Sequence, residues 1–137
     1  MIFLLFLFLF SLFSCQKHPN FVFLPDKTLE VEKQDLSWVG KIGRKEMFRT
    51  SQLSFHIVKL EEGEKPHFHM NHDLFVIVLK GYGTFFIGEK KYEMKDGDSA
   101  FVPKGVKHYF VPKSKKVYAV VVFNPPFDGM DNVLINE

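Results

Sequence analysis

Two histidines separated by a single residue open the chemistry of this chain: His67 and His69, in Pro66-His67-Phe68-His69-Met70-Asn71-His72-Asp73. In an extended strand alternate side chains share a face, so both imidazoles point the same way and can reach one metal ion. On a helix the same spacing would splay them by about 200°. Pro66 before the pair, and the β-rich run Leu74-Phe75-Val76-Ile77-Val78-Leu79 after it, favour the strand. Imidazole suits iron, nickel, copper or zinc, with manganese also admitted. Two histidines alone do not make a site, because they serve equally well as polar residues on a surface strand.

A second stretch adds a third histidine. Asp96-Gly97-Asp98-Ser99-Ala100-Phe101-Val102-Pro103-Lys104-Gly105-Val106-Lys107-His108 carries two turn signals and then a strand start. Asp96-Gly97 turns the chain into a strand. Pro103 and Gly105 shape the next turn, and His108 begins the strand that follows, where it can face a barrel interior.

These stretches must be positioned by β-structure. From Thr28 onward the chain reads as short alternating runs broken by turns. The runs are Leu29 to Glu32, Ser37 to Val39, Met47 to Leu60 (one bent strand or two), the histidine strand, Leu74 to Leu79, Thr84 to Ile87, Tyr92 to Met94, Ser99 to Val102, His108 to Val111 and Val117 to Phe123. Gly40/Gly43, Glu61 to Pro66 and Gly88-Glu89-Lys90-Lys91 read as turns. No helix of three turns is expected, and many short strands at this spacing predict a sandwich or barrel. The segment Asn124 to Asp131 reads as a loop that could cover a barrel mouth, with a plain surface loop as the default.

The two histidine stretches together resemble the paired motifs of the cupin superfamily. The second motif there runs G-x5-P-x-G-x2-H-x3-N, matched by Gly97, Pro103, Gly105 and His108, with Pro112 where the asparagine is expected. The first runs G-x5-H-x-H-x3,4-E-x6-G. His67, His69 and Gly81 match it, and Gly63 lies closer to His67 than the pattern asks. The resemblance implies an all-β fold, a single jelly-roll barrel (double-stranded β-helix) over residues 28–137, and convergence of His67, His69 and His108 on one metal. The family's glutamate falls at Leu74. Asp73 is one step along the strand and so faces away, whereas His72 shares the parity of Leu74. The fourth ligand is therefore His72, Asp73 through a bulge, or absent; absence, with three histidines and open positions, is the preferred expectation. A similar three-histidine set occurs in the thiol dioxygenase branch of the cupins. His56, Leu74 and Phe110 are candidates to line a ligand pocket.

The first 13 residues are almost purely Phe, Leu and Ile, too short to cross about 30 Å of hydrocarbon as a helix. They have the length of a signal peptide's apolar region and end in Leu12-Phe13-Ser14-Cys15, which resembles the lipobox of bacterial lipoproteins. By that resemblance residues 1–14 are a signal peptide, and Cys15 receives lipid. Residues 15–27 then form a tether, in which His18 reads as a solvated residue. The expected location is the cell envelope, on the periplasmic face of the outer membrane where the host has one. Cys15 is the sole cysteine, so no intramolecular disulfide forms.

Composition narrows the partners. The chain has 137 residues, consistent with one domain, and 46% hydrophobic content supports a core. Net charge is +2 with both signs interspersed, so no nucleic-acid surface is expected. Lys113-Ser114-Lys115-Lys116 reads as a solvated loop. Expected partners are a small-molecule ligand, the membrane through lipid on Cys15, and a second copy as a candidate homodimer. No general base or nucleophile announces itself. An enzyme of oxygenase or isomerase type, a binding module that holds a ligand or metal without chemistry, and a metal-free structural lipoprotein all remain open.

Overall fold

The computed structural model describes residues 19–135. The leader, Cys15 and His18 lie outside the described residues. Strands account for most of what is described: β1 (Phe21–Phe23), β2 (Thr28–Glu30), β3 (Ser37–Val39), β4 (Ile42–Arg49), β5 (Ser54–Leu60), β6 (His67–His69), β7 (Asp73–Lys80), β8 (Tyr82–Ile87), β9 (Lys90–Lys95), β10 (Ser99–Val102), β11 (His108–Pro112), β12 (Val117–Asn124) and β13 (Asn132–Leu134). Among the described residues the one helical piece is a 3-10 turn at Val31–Lys33, and no helix is long and apolar enough to cross a membrane.

Two antiparallel sheets make the jelly roll. The six-stranded sheet runs β10-β7-β12-β5-β4-β3 and the five-stranded sheet β13-β6-β11-β8-β9. Alternation on β7 shows how sequence sets the layers: Leu74, Val76 and Val78 are buried between the sheets, while Phe75 points out. They meet Val58, Leu60, Phe85, Met94 and Phe110 in one apolar cluster. β12 is buried almost throughout because both its faces are covered. Val117, Ala119, Val121 and Phe123 face the interior; Tyr118 faces the opposite way, onto a second cluster with Val22, Val31, Met47 and Ile57.

That second cluster depends on β1 and β2, which pair as Phe21↔Glu30, Val22↔Leu29 and Phe23↔Thr28. From residue 21, then, the stretch expected as a tether contributes a strand and buries Val22 against the six-stranded sheet. Gly43, expected in a turn, instead lies within β4, paired with Trp38 and Lys59. The hairpin between β8 and β9 turns at Gly88-Glu89, and Lys90 already pairs with Ile87.

Two glycines matter for placing the motifs. Gly81 has φ of 97°, and a Cβ there would stand 2.5 Å from the Lys116 carbonyl oxygen. Gly105 has φ of 78°, and its N–H donates to the His69 carbonyl at 2.7 Å. The turn between β10 and β11 is thereby tied to the histidine strand.

Candidate metal centre

β6 and β11 are antiparallel neighbours, and their register puts His67 directly opposite His108. Opposed residues of a pair share a face, so both imidazoles enter the barrel, and His69, two residues along β6, joins them. Ring centroids are 4.4 Å apart for His67 and His108, 5.2 Å for His67 and His69, and 5.4 Å for His69 and His108. One nitrogen from each lies within 4.8 Å of the other two, and all three residues are buried.

The other ring nitrogens are already committed. His67 Nδ1 donates to the Lys65 carbonyl at 2.8 Å and His108 Nδ1 to the Val106 carbonyl at 2.9 Å. His69 Nδ1 donates to Asp131 Oδ1 at 3.2 Å. A carbonyl or ionised carboxylate can only accept, so each contact fixes the proton on Nδ1 and leaves Nε2 with a free lone pair. His108 Nε2 is buried with no hydrogen-bond partner. An orphaned imidazole lone pair is costly in an apolar interior and is what a metal ion would satisfy. Burial pushes His108 down to about 4, with His67 and His69 beside it acting the same way against the Val106 bond. His69 is also held below the usual histidine range by burial, although Asp131 opposes the shift. Both rings are neutral donors at neutral pH, as metal ligation requires. The donor set fits a divalent transition metal.

His72 and Asp73 stand outside this group. His72 is buried, with Nδ1 on Asp131 Oδ2 and Nε2 3.2 Å from the Pro126 carbonyl oxygen. Asp73 Oδ1 accepts the Lys104 backbone N–H at 2.8 Å and ties down the turn before β11. Leu74, at the position expected for glutamate, faces the interior and is 5% exposed.

The histidines open onto a cavity of about 810 Å³ whose wall includes Leu74, Val76, Phe85, Phe110 and Phe123. Leu74 and Phe110 line this cavity. His56 does not line it: it faces inward behind Phe123 and Phe127, its Nε2 2.8 Å from Ser54 Oγ. Burial, and Arg44 nearby, push His56 down to about 4 against the pull of Glu46. The unfolded chain takes up this proton near 6.5 and the folded one only near 4. His56 therefore contributes stability above about pH 6.5, lost progressively as pH falls toward 4. The full effect is on the order of 3 kcal/mol. Chemical denaturation across that window should show a shallower acid decline in His56→Gln; an unchanged slope would remove His56 as its source.

Three residues at the site escape a reading of the sequence. Glu64 lies in the turn before β6, yet its carboxyl lines the cavity and accepts the Phe110 N–H at 2.8 Å. Burial raises it above the usual carboxylate range, opposed by His67 and that N–H. Arg44 lines the cavity from β4. Asp131 accepts from His69, from His72 and from the Asn71 N–H at 2.9 Å. Burial works to raise Asp131, but these donors outweigh it and hold it below the ordinary carboxylate range. The segment Asn124 to Asp131, expected as a surface loop, packs Phe127 (6% exposed) over His69 and His72 and leads into β13, which pairs with β6. The alternation Ile42-x-Arg44-x-Glu46 was the available signal for Arg44; Glu64 and Asp131 had none.

Two antiparallel sheets closed around a histidine-lined cavity define a jelly-roll barrel with a metal-capable centre. Residues 55–123 match the cupin domain model, and the chain belongs to that family. It is 32% identical over 117 residues to an uncharacterized protein of Aquifex aeolicus (strain VF5), covering 83% of this chain and 97% of that one. Among solved structures, KdgF from Halomonas sp. is similar at 26% identity and a TM-score of 0.67, over 72% of this chain and 94% of its own. A Streptomyces PAC13 variant solved with uridine has the same fold at 19% identity and a TM-score of 0.65, over 77% of this chain and 88% of its own.

Proposed function

We propose that this protein is a metal-dependent cupin that binds a small organic molecule in its barrel against a centre formed by His67, His69 and His108. The observation that carries the reading is the set of tied Nδ1 atoms, which leaves the Nε2 lone pairs free on three buried histidines that each bring a ring nitrogen within 4.8 Å of the other two. A bound iron, nickel, copper, zinc or manganese ion would supply Lewis acidity to a ligand oxygen and, for iron or copper, access to oxygen chemistry.

The chain's own residues do the rest. The apolar wall excludes water from the ligand's body. Glu64, its carboxyl raised by burial against the pull of His67, lines the cavity and is the group placed to exchange a proton with a bound molecule. With an oxygen co-substrate this arrangement serves an oxygenase; without one, proton transfer serves an isomerase. That a barrel of this fold holds uridine in PAC13 supports a ligand of small-molecule size. Metal analysis of the full-length protein purified without chelator tests the reading: stoichiometric transition metal is expected, and metal-free protein that takes none up on dialysis would refute it.

The location belongs to the same proposal. The apolar leader ending at the sole cysteine supports lipid attachment at Cys15 and action in the cell envelope outside the cytoplasm. Fatty-acid labelling that persists in Cys15→Ser would overturn the anchor.

A further inference from the structure

The inner face of β4 breaks the apolar rule of the barrel. Its register sets Ile42, Arg44 and Glu46 opposite Leu60, Val58 and His56, the residues of β5 that face the interior. Arg44 stands at the open side of that wall, where its side chain lines the cavity and is still exposed to solvent, so water rather than a protein group compensates its charge. The nearest carboxylate does not, because Glu46 gives Oε1 and Oε2 to Arg49, at 3.0 and 2.6 Å. Among the described residues the Arg44 guanidinium makes no hydrogen bond or ion pair; its carbon lies 4.4 Å from the centroid of the Phe127 ring. Desolvation accordingly pulls Arg44 below its usual range, with Glu46 opposing.

Phe127 fixes where this charge sits. Its ring is also 5.6 Å, edge on, from the ring of His69, so Arg44 flanks the histidine end of the cavity. Five donors in a planar fork are therefore held beside an apolar chamber, stacked on an aromatic ring and lacking an acceptor.

We propose that Arg44 anchors the carboxylate of a small amphipathic acid whose apolar body fills the barrel. One guanidinium matches one negative charge, whereas the second charge of a phosphate monoester would fall in a cavity lined by Glu62 and Glu64 as well as by Lys65. This rests on the reading of the cavity as a ligand site, but not on the metal.

Calorimetric titration of the full-length protein with octanoate, 1-octanol and octyl phosphate, with and without chelator, tests it. Octanoate is expected to bind in both conditions and at least about 10-fold more tightly than octanol. Arg44→Gln should weaken octanoate about 10–100-fold and leave octanol unchanged, and Arg44→Lys should recover part of the loss. His108→Ala should retain octanoate binding, which separates this proposal from the metal reading. Equal affinity for octanoate and octanol, or no binding of any probe, would overturn it. So would octanoate binding that needs metal and ignores Arg44→Gln, since the metal would then hold the acid. Tighter, Arg44-dependent binding of octyl phosphate would overturn the choice of a single charge.

Discussion

In His108→Ala, metal content per protomer is expected to fall to background, and likewise in His67→Ala and His69→Ala. Each imidazole is one of three neutral donors, so losing one leaves two ligands and a hole in a buried wall. The cost should exceed the about 10–100-fold in affinity that removal of an outer hydrogen-bonding partner brings. Folding should survive, because the apolar contacts of the barrel lie mostly elsewhere. Asp73→Ala is the internal control. Its carboxylate holds the Lys104 N–H outside the cluster, so metal content should stay near that of the unaltered protein. Side-by-side elemental analysis of the four variants decides the point. Full occupancy in His108→Ala would dismiss the three-histidine centre; loss in Asp73→Ala would place a carboxylate in it.

The histidine pair was readable because a period of two fixes side-chain direction within one strand, whatever the rest of the chain does. His108 was readable because Gly97, Pro103 and Gly105 carry turn chemistry at fixed offsets. Their convergence was not readable from spacing, since it comes from the β6–β11 register, which no local signal encodes. Only the resemblance to cupins supplied it. Contacts across long separations stayed hidden for the same reason. Asp131 meets residues about 60 positions earlier, and the polar, proline-rich run before it reads as solvent-exposed until Phe127 is seen against His69. β1 was masked by Pro19 and Pro25, which read as tether punctuation although Val22 between them is buried. Arg44 was hidden by a different error: with Gly40 and Gly43 read as a turn and the strand begun only at Met47, no face was assigned to it, although it lies in β4 opposite Val58.

The second large effect is expected at Asp131, which does not touch the metal position yet holds the residue that would. Its carboxylate accepts three N–H groups, from His69, His72 and the Asn71 backbone, and its own carbonyl accepts the Met70 N–H at 3.4 Å. Asn at this position offers a single acceptor oxygen and must turn an NH₂ toward one of the donors. The lost contact to His69 Nδ1 frees that ring to rotate and removes the charge that makes its Nε2 a better donor. Metal affinity in Asp131→Asn should therefore fall about 10–100-fold with all three histidines still in place. The same change leaves His72, 2% exposed, facing an amide instead of a carboxylate, which should cost about 1–3 kcal/mol of stability. The two effects can be told apart. Chelator competition reports affinity in the folded protein, and denaturation of the metal-free protein reports stability alone. The segment from Pro125 to β13 closes over the site through Asp131 and the β6 pairing, so it should also become more sensitive to protease in the variant. Unchanged affinity alongside reduced stability would make Asp131 a structural clasp only. Reduced affinity at unchanged stability would show that its main work is to aim His69.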